Sequence, residues 1–335
     1  MIKWGIIGCG DVTEVKSGPA FNKVSDSKLV AVMRRNASLA EDYARRHNVP
    51  KFYSSANDLI NDPEVNAVYI ATPPSSHAEY AIEVIKARKP VYIEKPMAVN
   101  YSECLNINRA AEKYKIPVFV AYYRRTLPGF LLVKEMIENG SIGKVLFLQM
   151  QLFTAPSPAE RSGNLSWHVD PEISGGGHFF DLASHQLDYL DFVFGPIQKV
   201  KSVVLNQAGL YKAEDFVTAE FIFPDNIVGT GTWCFSTSPE STRDTIEIIG
   251  DKGSIMFSTF SFEPIVLTNA AGRQEFKNER PEHVQYYLIE KVVQALKGKS
   301  LSPSTGISGA RTNKVMDEVV AEYYKDKRQK TKVKK

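Results

Sequence analysis

The chain has 335 residues, of which 41 are Lys or Arg and 38 Asp or Glu, for a formal net charge of +3 at pH 7. That length buries a sizeable core and suffices for two domains, and 43% hydrophobic content excludes a disordered or fibrous chain. The balanced charge argues against a nucleic-acid partner. No apolar run is long enough to cross a bilayer and no secretory h-region precedes Lys3, so a cytoplasmic protein is expected.

The first 120 residues alternate short apolar runs with amphipathic stretches. The runs are 2–7, 29–33, 67–71, 91–93 and 118–120, and helical patterns at 39–47, 77–86 and 102–114 separate them. Continuous apolar strands divided by helices predict βαβ units and a doubly wound parallel sheet of Rossmann type. After an amphipathic segment near 130–138 the pattern changes to strand-like runs at 145–153, 200–206, 217–223, 227–235, 245–249 and 254–258. Pro224-Asp225-Asn226 and Gly250-Asp251-Lys252-Gly253 read as hairpin turns, which predicts a large, mostly antiparallel open sheet. Helical patterns at 284–296 and 307–324 close the chain. The expected fold is α/β, with a dinucleotide-binding domain at 1–122, an α+β domain at 123–325 and a basic flexible tail at 326–335.

Several motifs fall at predicted strand ends, where open α/β sheets bind their ligands. Gly8-Cys9-Gly10-Asp11-Val12 follows the first strand and opens a helix, with Thr13 where a third glycine might stand. Such glycines permit a tight turn and let the backbone approach a pyrophosphate. Arg34 and Arg35 end the second strand, where an acid would mark NAD(H). Guanidinium groups there can fork onto a 2′-phosphate, which favours NADP(H). Ala71-Thr72-Pro73-Pro74 stops another strand, and Ser75 or Ser76 can cap the helix beginning at His77. Glu94-Lys95-Pro96 follows the strand at 91–93, its lysine held extended by the proline. Cys9, Cys104 and Cys234 are odd in number and widely spaced, so no disulfide framework or metal site is expected.

The stretch from Ser174 to Asp188 carries the densest chemistry. Phe179, Phe180, Leu182, Ala183 and Leu187 recur at helical spacing, and the remaining stripe is His178, Asp181, His185 and Asp188. A carboxylate and an imidazole four residues apart share one helix face. That face holds no Lys, Arg or Glu, which suits a cleft. The run Gly175-Gly176-Gly177 before it is expected to let the chain pass close to a nicotinamide.

Together these motifs resemble the glucose-fructose oxidoreductase / inositol dehydrogenase / MocA (Gfo/Idh/MocA) family of NAD(P)-dependent oxidoreductases, in particular its bacterial 1,5-anhydro-D-fructose reductase-like members. The likeness covers nearly the whole chain. It implies hydride transfer on a sugar, keto-sugar or polyol derivative, with Lys95, Asp181 and His185 as the catalytic group. It further implies that Gly8, Cys9, Gly10, Asp11, Val12, Arg34, Arg35, Ala71, Thr72, Pro73, Pro74, His77, Glu94, Lys95 and Trp167 line the cofactor. Trp167 matches a tryptophan near the nicotinamide in some relatives, with His168 in place of their arginine. Tyr123, Arg124, His168 and His178 are the candidate substrate contacts. A homodimer or homotetramer through the second sheet is expected. Two other functions on the same fold are a glycosidase that retains its nicotinamide and a non-enzymatic cofactor sensor; the sensor is disfavoured because Lys95, Asp181 and His185 are all kept.

Overall fold

A computed structural model describes residues 1–333, with side chains through 325; the expected flexible tail at 326–335 lies outside the residues whose side chains are described. Contacts divide the chain into two units, Met1–Leu127 with Arg280–Ala310, and Pro128–Glu279 with the remainder from Arg311.

The first unit holds strands β1 (Ile2–Ile7), β2 (Ser27–Met33), β3 (Lys51–Tyr53), β4 (Ala67–Ile70), β5 (Val91–Ile93) and β6 (Val118–Val120). They form one parallel sheet in the order β3-β2-β1-β4-β5-β6. The order reverses between β1 and β4, where doubly wound sheets open a crevice. Register aligns Ile7 with Met33 and Ile70, Ile70 with Ile93, and Ile93 with Val120. The carboxyl ends therefore stand in a row, and Gly8, Arg34, Ala71, Glu94 and Ala121 each follow a strand at the same edge. Side chains on these strands are buried on both faces, among them Ile7, Val68, Ile70, Ile93 and Val120, packed beneath helices His77–Lys86 and Tyr101–Tyr114. Pattern alone misses β3, a short edge strand whose Phe52 is exposed and which forms no continuous apolar run.

Residues 280–310 fall by sequence order in the second domain, but they pack on the first. Helix Tyr286–Leu296 buries Leu288, Ile289, Val292 and Val293. Ser304 Oγ donates to the Val120 carbonyl at 2.7 Å, and Arg125 donates to the Pro303 carbonyl at 3.0 Å. An amphipathic helix shows that it must cover something, and only tertiary pairing decides which sheet.

In the second unit, β7 (Val145–Phe153), β8 (Lys199–Leu205), β9 (Phe216–Ile222), β10 (Val228–Cys234), β11 (Arg243–Gly250), β12 (Gly253–Phe257), β13 (Ile265–Asn269) and β14 (Gly272–Phe276) form one sheet. Its order is β14-β13-β12-β11-β7-β10-β9-β8, antiparallel except for the β7–β10 pair. Alternation sorts the faces. Leu148, Met150, Leu152, Val217, Phe221, Trp233, Ile246 and Ile248 are buried, while Phe147, Gln149, Gln151, Thr230 and Met256 are exposed. Helix Pro128–Glu138 meets helix Ser184–Phe194 in this unit. There Tyr189 donates to the Phe130 carbonyl at 2.8 Å and its ring stands edge-on to Phe130 and Phe257. No helix among the described residues is long and apolar enough to cross a membrane.

Candidate active site

In the first unit the glycine turn is built around strand β1's end. Gly8 has φ +90°, and a Cβ there would lie 2.6 Å from Thr72 Cγ2, so the turn closes directly on the Ala71-Thr72 loop. The amides of Gly8 and Cys9 both donate to the Met33 carbonyl, at 2.9 and 3.1 Å. Gly10 caps helix Asp11–Val15 in extended conformation, and Thr13 Oγ1 accepts from the Gly10 amide at 3.0 Å and donates to its carbonyl at 2.7 Å. Thr13 thus braces the start of this helix at the position where a third glycine might stand. A Cβ on Gly10 would meet nothing nearer than the Gly8 carbonyl at 3.9 Å, which leaves open space above the first-turn amides. Cys9 is a correction: the residue is buried in the core with its amide on the Met33 carbonyl, and burial pushes its thiol pKa up to about 11.

Arg34 and Arg35 are exposed at the end of β2. The Met33 carbonyl that accepts from the Gly8 and Cys9 amides immediately precedes Arg34, so the Arg34 backbone stands beside the glycine turn.

The loop after β4 folds through a 3-10 turn, Pro74–Ser76, into helix His77–Lys86. Ser76 does not cap that helix; its hydroxyl turns back to Thr72 Oγ1 at 2.8 Å and the Pro73 carbonyl at 3.1 Å. His77 is also corrected. Its ring is fully buried, with Nε2 2.7 Å from the Thr72 carbonyl and Nδ1 3.0 Å from the Pro96 carbonyl. Burial pushes its pKa below the ordinary imidazole value, and a neutral ring can donate to one of these carbonyls at a time. His77 braces the β4 and β5 loops to one another and has no face left for a cofactor.

Glu94 is buried beneath the sheet edge. It accepts from the Tyr69 hydroxyl and the Gln285 amide, and its second oxygen accepts from the Lys95 backbone N–H at 3.1 Å. Glu94 accordingly supports Lys95 from inside the fold. Nothing local in the sequence points to Gln285, which lies 191 residues further along the chain. Tyr123 and Arg124 are buried too, Arg124 at 2% exposure with its guanidinium 5.0 Å from the Tyr123 ring, so neither forms an open rim.

In the second unit the glycine run is filled by the chain itself. A Cβ on Gly176 would lie 2.2 Å from the buried Phe180 ring, and one on Gly177 would lie 2.8 Å from both Ala213 Cβ and the Glu214 carbonyl. Glu214 Oε1 accepts from the Gly177 amide at 2.8 Å, and its other oxygen accepts from Tyr324 at 2.6 Å. The small residues allow self-packing here, a reason for Gly176 and Gly177 that does not require a nicotinamide.

Phe179–Ala183 is a π-turn before helix Ser184–Phe194. The extra residue rotates the downstream helix by ~100° relative to an unbroken α-helix, so the four-residue polar stripe splits. Asp181 is half-buried and lies within the π-turn, four residues before His185. His185 is 4% exposed and its ring stands edge-on to Phe260. Asp188 turns inward, accepting from the Thr312 hydroxyl at 3.3 Å. His178 leaves the stripe: Nε2 lies 2.6 Å from Glu160 Oε1, with the Tyr211 ring edge-on. Burial raises the Glu160 pKa, but hydrogen bonds from His178 and Ser157 outweigh it and hold the carboxyl below its ordinary value. Ser157-x-x-Glu160 is a capping box legible in sequence, while its partnership with His178 is not. Trp167 is 38% exposed and stacks on His168 at 3.7 Å.

The glycine turn, the proline loop and the lysine at aligned strand ends match the model described as "Oxidoreductase family, NAD-binding Rossmann fold" over residues 2–122, and the "GFO/IDH/MocA C-terminal domain" matches 130–256. The chain belongs to the Gfo/Idh/MocA family. As a Gfo/Idh/MocA protein it is an NAD(P)-dependent oxidoreductase acting on CH–OH groups. It is 40% identical over 319 residues to oxidoreductase P35 of Formosa agariphila, covering 94% of this chain and 97% of that one. It is 24% identical to 1,5-anhydro-D-fructose reductase of Ensifer adhaerens, covering 92% of each. Its fold matches levoglucosan dehydrogenase in complex with NADH at a TM-score of 0.87, with 24% identity and 97% of each chain covered. The open space at Gly10 and the aligned strand ends fit a dinucleotide: Gly8, Gly10, Asp11 and Val12 would hold its pyrophosphate and Arg34 its adenosine ribose.

Proposed function

We propose that this Gfo/Idh/MocA protein uses NADP(H) to oxidise or reduce a hydroxyl or carbonyl carbon of a sugar, keto-sugar or polyol derivative. The observation that carries the reading is the row of strand ends in the first unit, where glycine turn, Arg34, the Thr72 loop and Lys95 stand side by side. Arg34, exposed one residue after the carbonyl that the glycine turn bonds, favours a 2′-phosphate over a bare ribose. The names of the relatives support a sugar-like substrate.

When bound, the nicotinamide gives or takes the hydride. The residues do the rest. In reduction His185 donates the proton that turns the developing alkoxide into a hydroxyl, and in oxidation it takes that proton back. The Lys95 ammonium donates hydrogen bonds to the same oxygen. Asp181 orients a substrate hydroxyl or the imidazole. The exposed apolar positions on the open sheet face, Phe147 and Val228 in register with Met256 nearby on β12, support a homodimer or homotetramer, checked by light scattering; a monomer at micromolar concentration would remove that part.

A screen of sugars, keto-sugars and polyols with both cofactors, read at the absorbance of reduced nicotinamide, identifies the substrate. Steady-state kinetics then test the site. Lys95→Met and His185→Ala should each lower turnover by about two to four orders of magnitude, with the double variant losing less than the sum. Cofactor affinity of His185→Ala should stay within about threefold. Near-normal turnover in His185→Ala would move the proton to another group, with His178 and Tyr123 next to test, and would overturn this reading.

A further inference from the structure

We propose that Gln285 is a positioning residue for Lys95, acting through Glu94. The proposal rests on the reading of Lys95 as the group that stabilises the substrate oxygen, and the geometry is all within the first unit.

Gln285 is fully buried and comes from the returning segment at 280–310 that packs on the first unit. Its amide has a defined orientation. The Tyr92 hydroxyl donates to Gln285 Oε1 at 2.9 Å, which turns the Gln285 NH2 toward Glu94 Oε1. Tyr92 lies on β5 two residues before Glu94, so both side chains leave the same face of that strand. Tyr69, from β4, donates to the same Glu94 oxygen. Three donors thus converge on Glu94: two fix Oε1, and the remaining oxygen is left to accept from the Lys95 backbone N–H at 3.1 Å. On the other side of Lys95, His77 holds the Pro96 carbonyl. The lysine backbone is clamped before and after, and Gln285 is the member of the clamp that the returning segment supplies.

The same segment reaches the other cofactor loop. His283 Nδ1 lies 2.7 Å from the Val15 carbonyl, and the Gln285 backbone amide donates to the Lys16 carbonyl at 3.2 Å, both at the end of the helix that the glycine turn opens. Residues 283–285 therefore tie the glycine-turn helix to the strand end carrying Lys95. A side chain that merely filled space would need no oriented amide here; an apolar residue of the same length would take the acceptor from the Tyr92 hydroxyl and leave Glu94 Oε1 held by Tyr69 alone.

The test is Gln285→Met in the full-length protein, with amide hydrogen exchange read at Lys95 and NADPH titrated by fluorescence. Exchange at Lys95 should quicken by about tenfold or more, while exchange in the core of the second unit stays as it was. Turnover with the sugar found in the screen should fall by about 10- to 100-fold, and the NADPH dissociation constant should move less than about threefold, because a misplaced lysine costs the reaction rather than cofactor binding. Tyr92→Phe, which removes one hydroxyl and frees the Gln285 amide to rotate, should shift both readouts in the same direction by a smaller amount, and it serves if Gln285→Met does not fold. Unchanged Lys95 exchange in a folded Gln285→Met protein overturns the proposal. Equal losses of turnover and NADPH affinity overturn it as well, since they mark general loosening of the unit. Lys95→Met separates the two ideas: if it keeps its turnover, the catalytic reading fails, while the exchange measurement still decides whether Gln285 holds that backbone.

Discussion

Gly8–Gly10 ends strand β1 and opens helix Asp11–Val15, and Gly175–Gly177 leads into the π-turn at Phe179–Ala183. A side chain on Gly10 would enter open space, whereas one on Gly176 would strike the buried Phe180 ring and one on Gly177 the 213–214 segment. In sequence the two runs invite the same inference, that the backbone must come close to something. At Gly10 the chain leaves that space open, as a bound dinucleotide requires; at Gly8 the partner is the Thr72 loop, and in the second run it is again the chain itself. A glycine thus reports close approach without naming what approaches.

Gly176→Ala gives the sharpest break of this comparison. Its Cβ has no room, because Phe180 is buried and cannot swing away, so the variant should lose about 2–3 kcal/mol of stability. The measurement is the denaturation midpoint, with NADPH affinity of the surviving folded protein within about threefold of the parent. Weakened cofactor binding at full stability would mean that the second run faces a ligand after all.

Gly10→Ala should behave in the opposite way. Extended φ at this position suits any residue, so stability should change by less than about 0.5 kcal/mol while NADPH affinity falls by about tenfold as the methyl obstructs the pyrophosphate. Arg34→Asp sharpens the same side of the comparison: NADPH binding should weaken by about tenfold with NADH equal or improved. Equal affinity of the unmodified protein for NADH and NADPH would sink the NADP(H) preference.

The smallest effect lies at the helix that the first run opens. Hydrogen bonding from Arg46 holds the Glu14 carboxyl down at about 2, with His47 adding to it. A depressed folded-state value contributes stability above the unfolded carboxylate range, near ~4.3, and loses it as the pH falls toward the folded value. Since the pair is partly exposed, the contribution should be about 1 kcal/mol, present at pH 7 and absent in Glu14→Gln. Denaturation midpoints of both proteins at pH 7 and pH 3 check it; an equal gap at the two pH values would refute the assignment.

Local chemistry made much of this protein legible. Short apolar runs alternating with amphipathic ones gave the parallel sheet, because both of its faces must be covered. Strand-like runs joined by turn signals gave the second sheet, and motifs at strand ends gave Gly8, Arg34, Thr72 and Lys95. What sequence determined was which groups sit at the ends of strands, since strand and turn follow from neighbours. What tertiary structure alone decided was burial and partnership. It put His77 and Cys9 inside, paired His178 with Glu160, and buried Asp188 against the Thr312 hydroxyl. It also brought Gln285 back to Glu94. Those contacts join residues far apart in the chain, and each depends on which surface a helix or loop covers. That choice is made by the packing of the whole unit, and no local pattern encodes it.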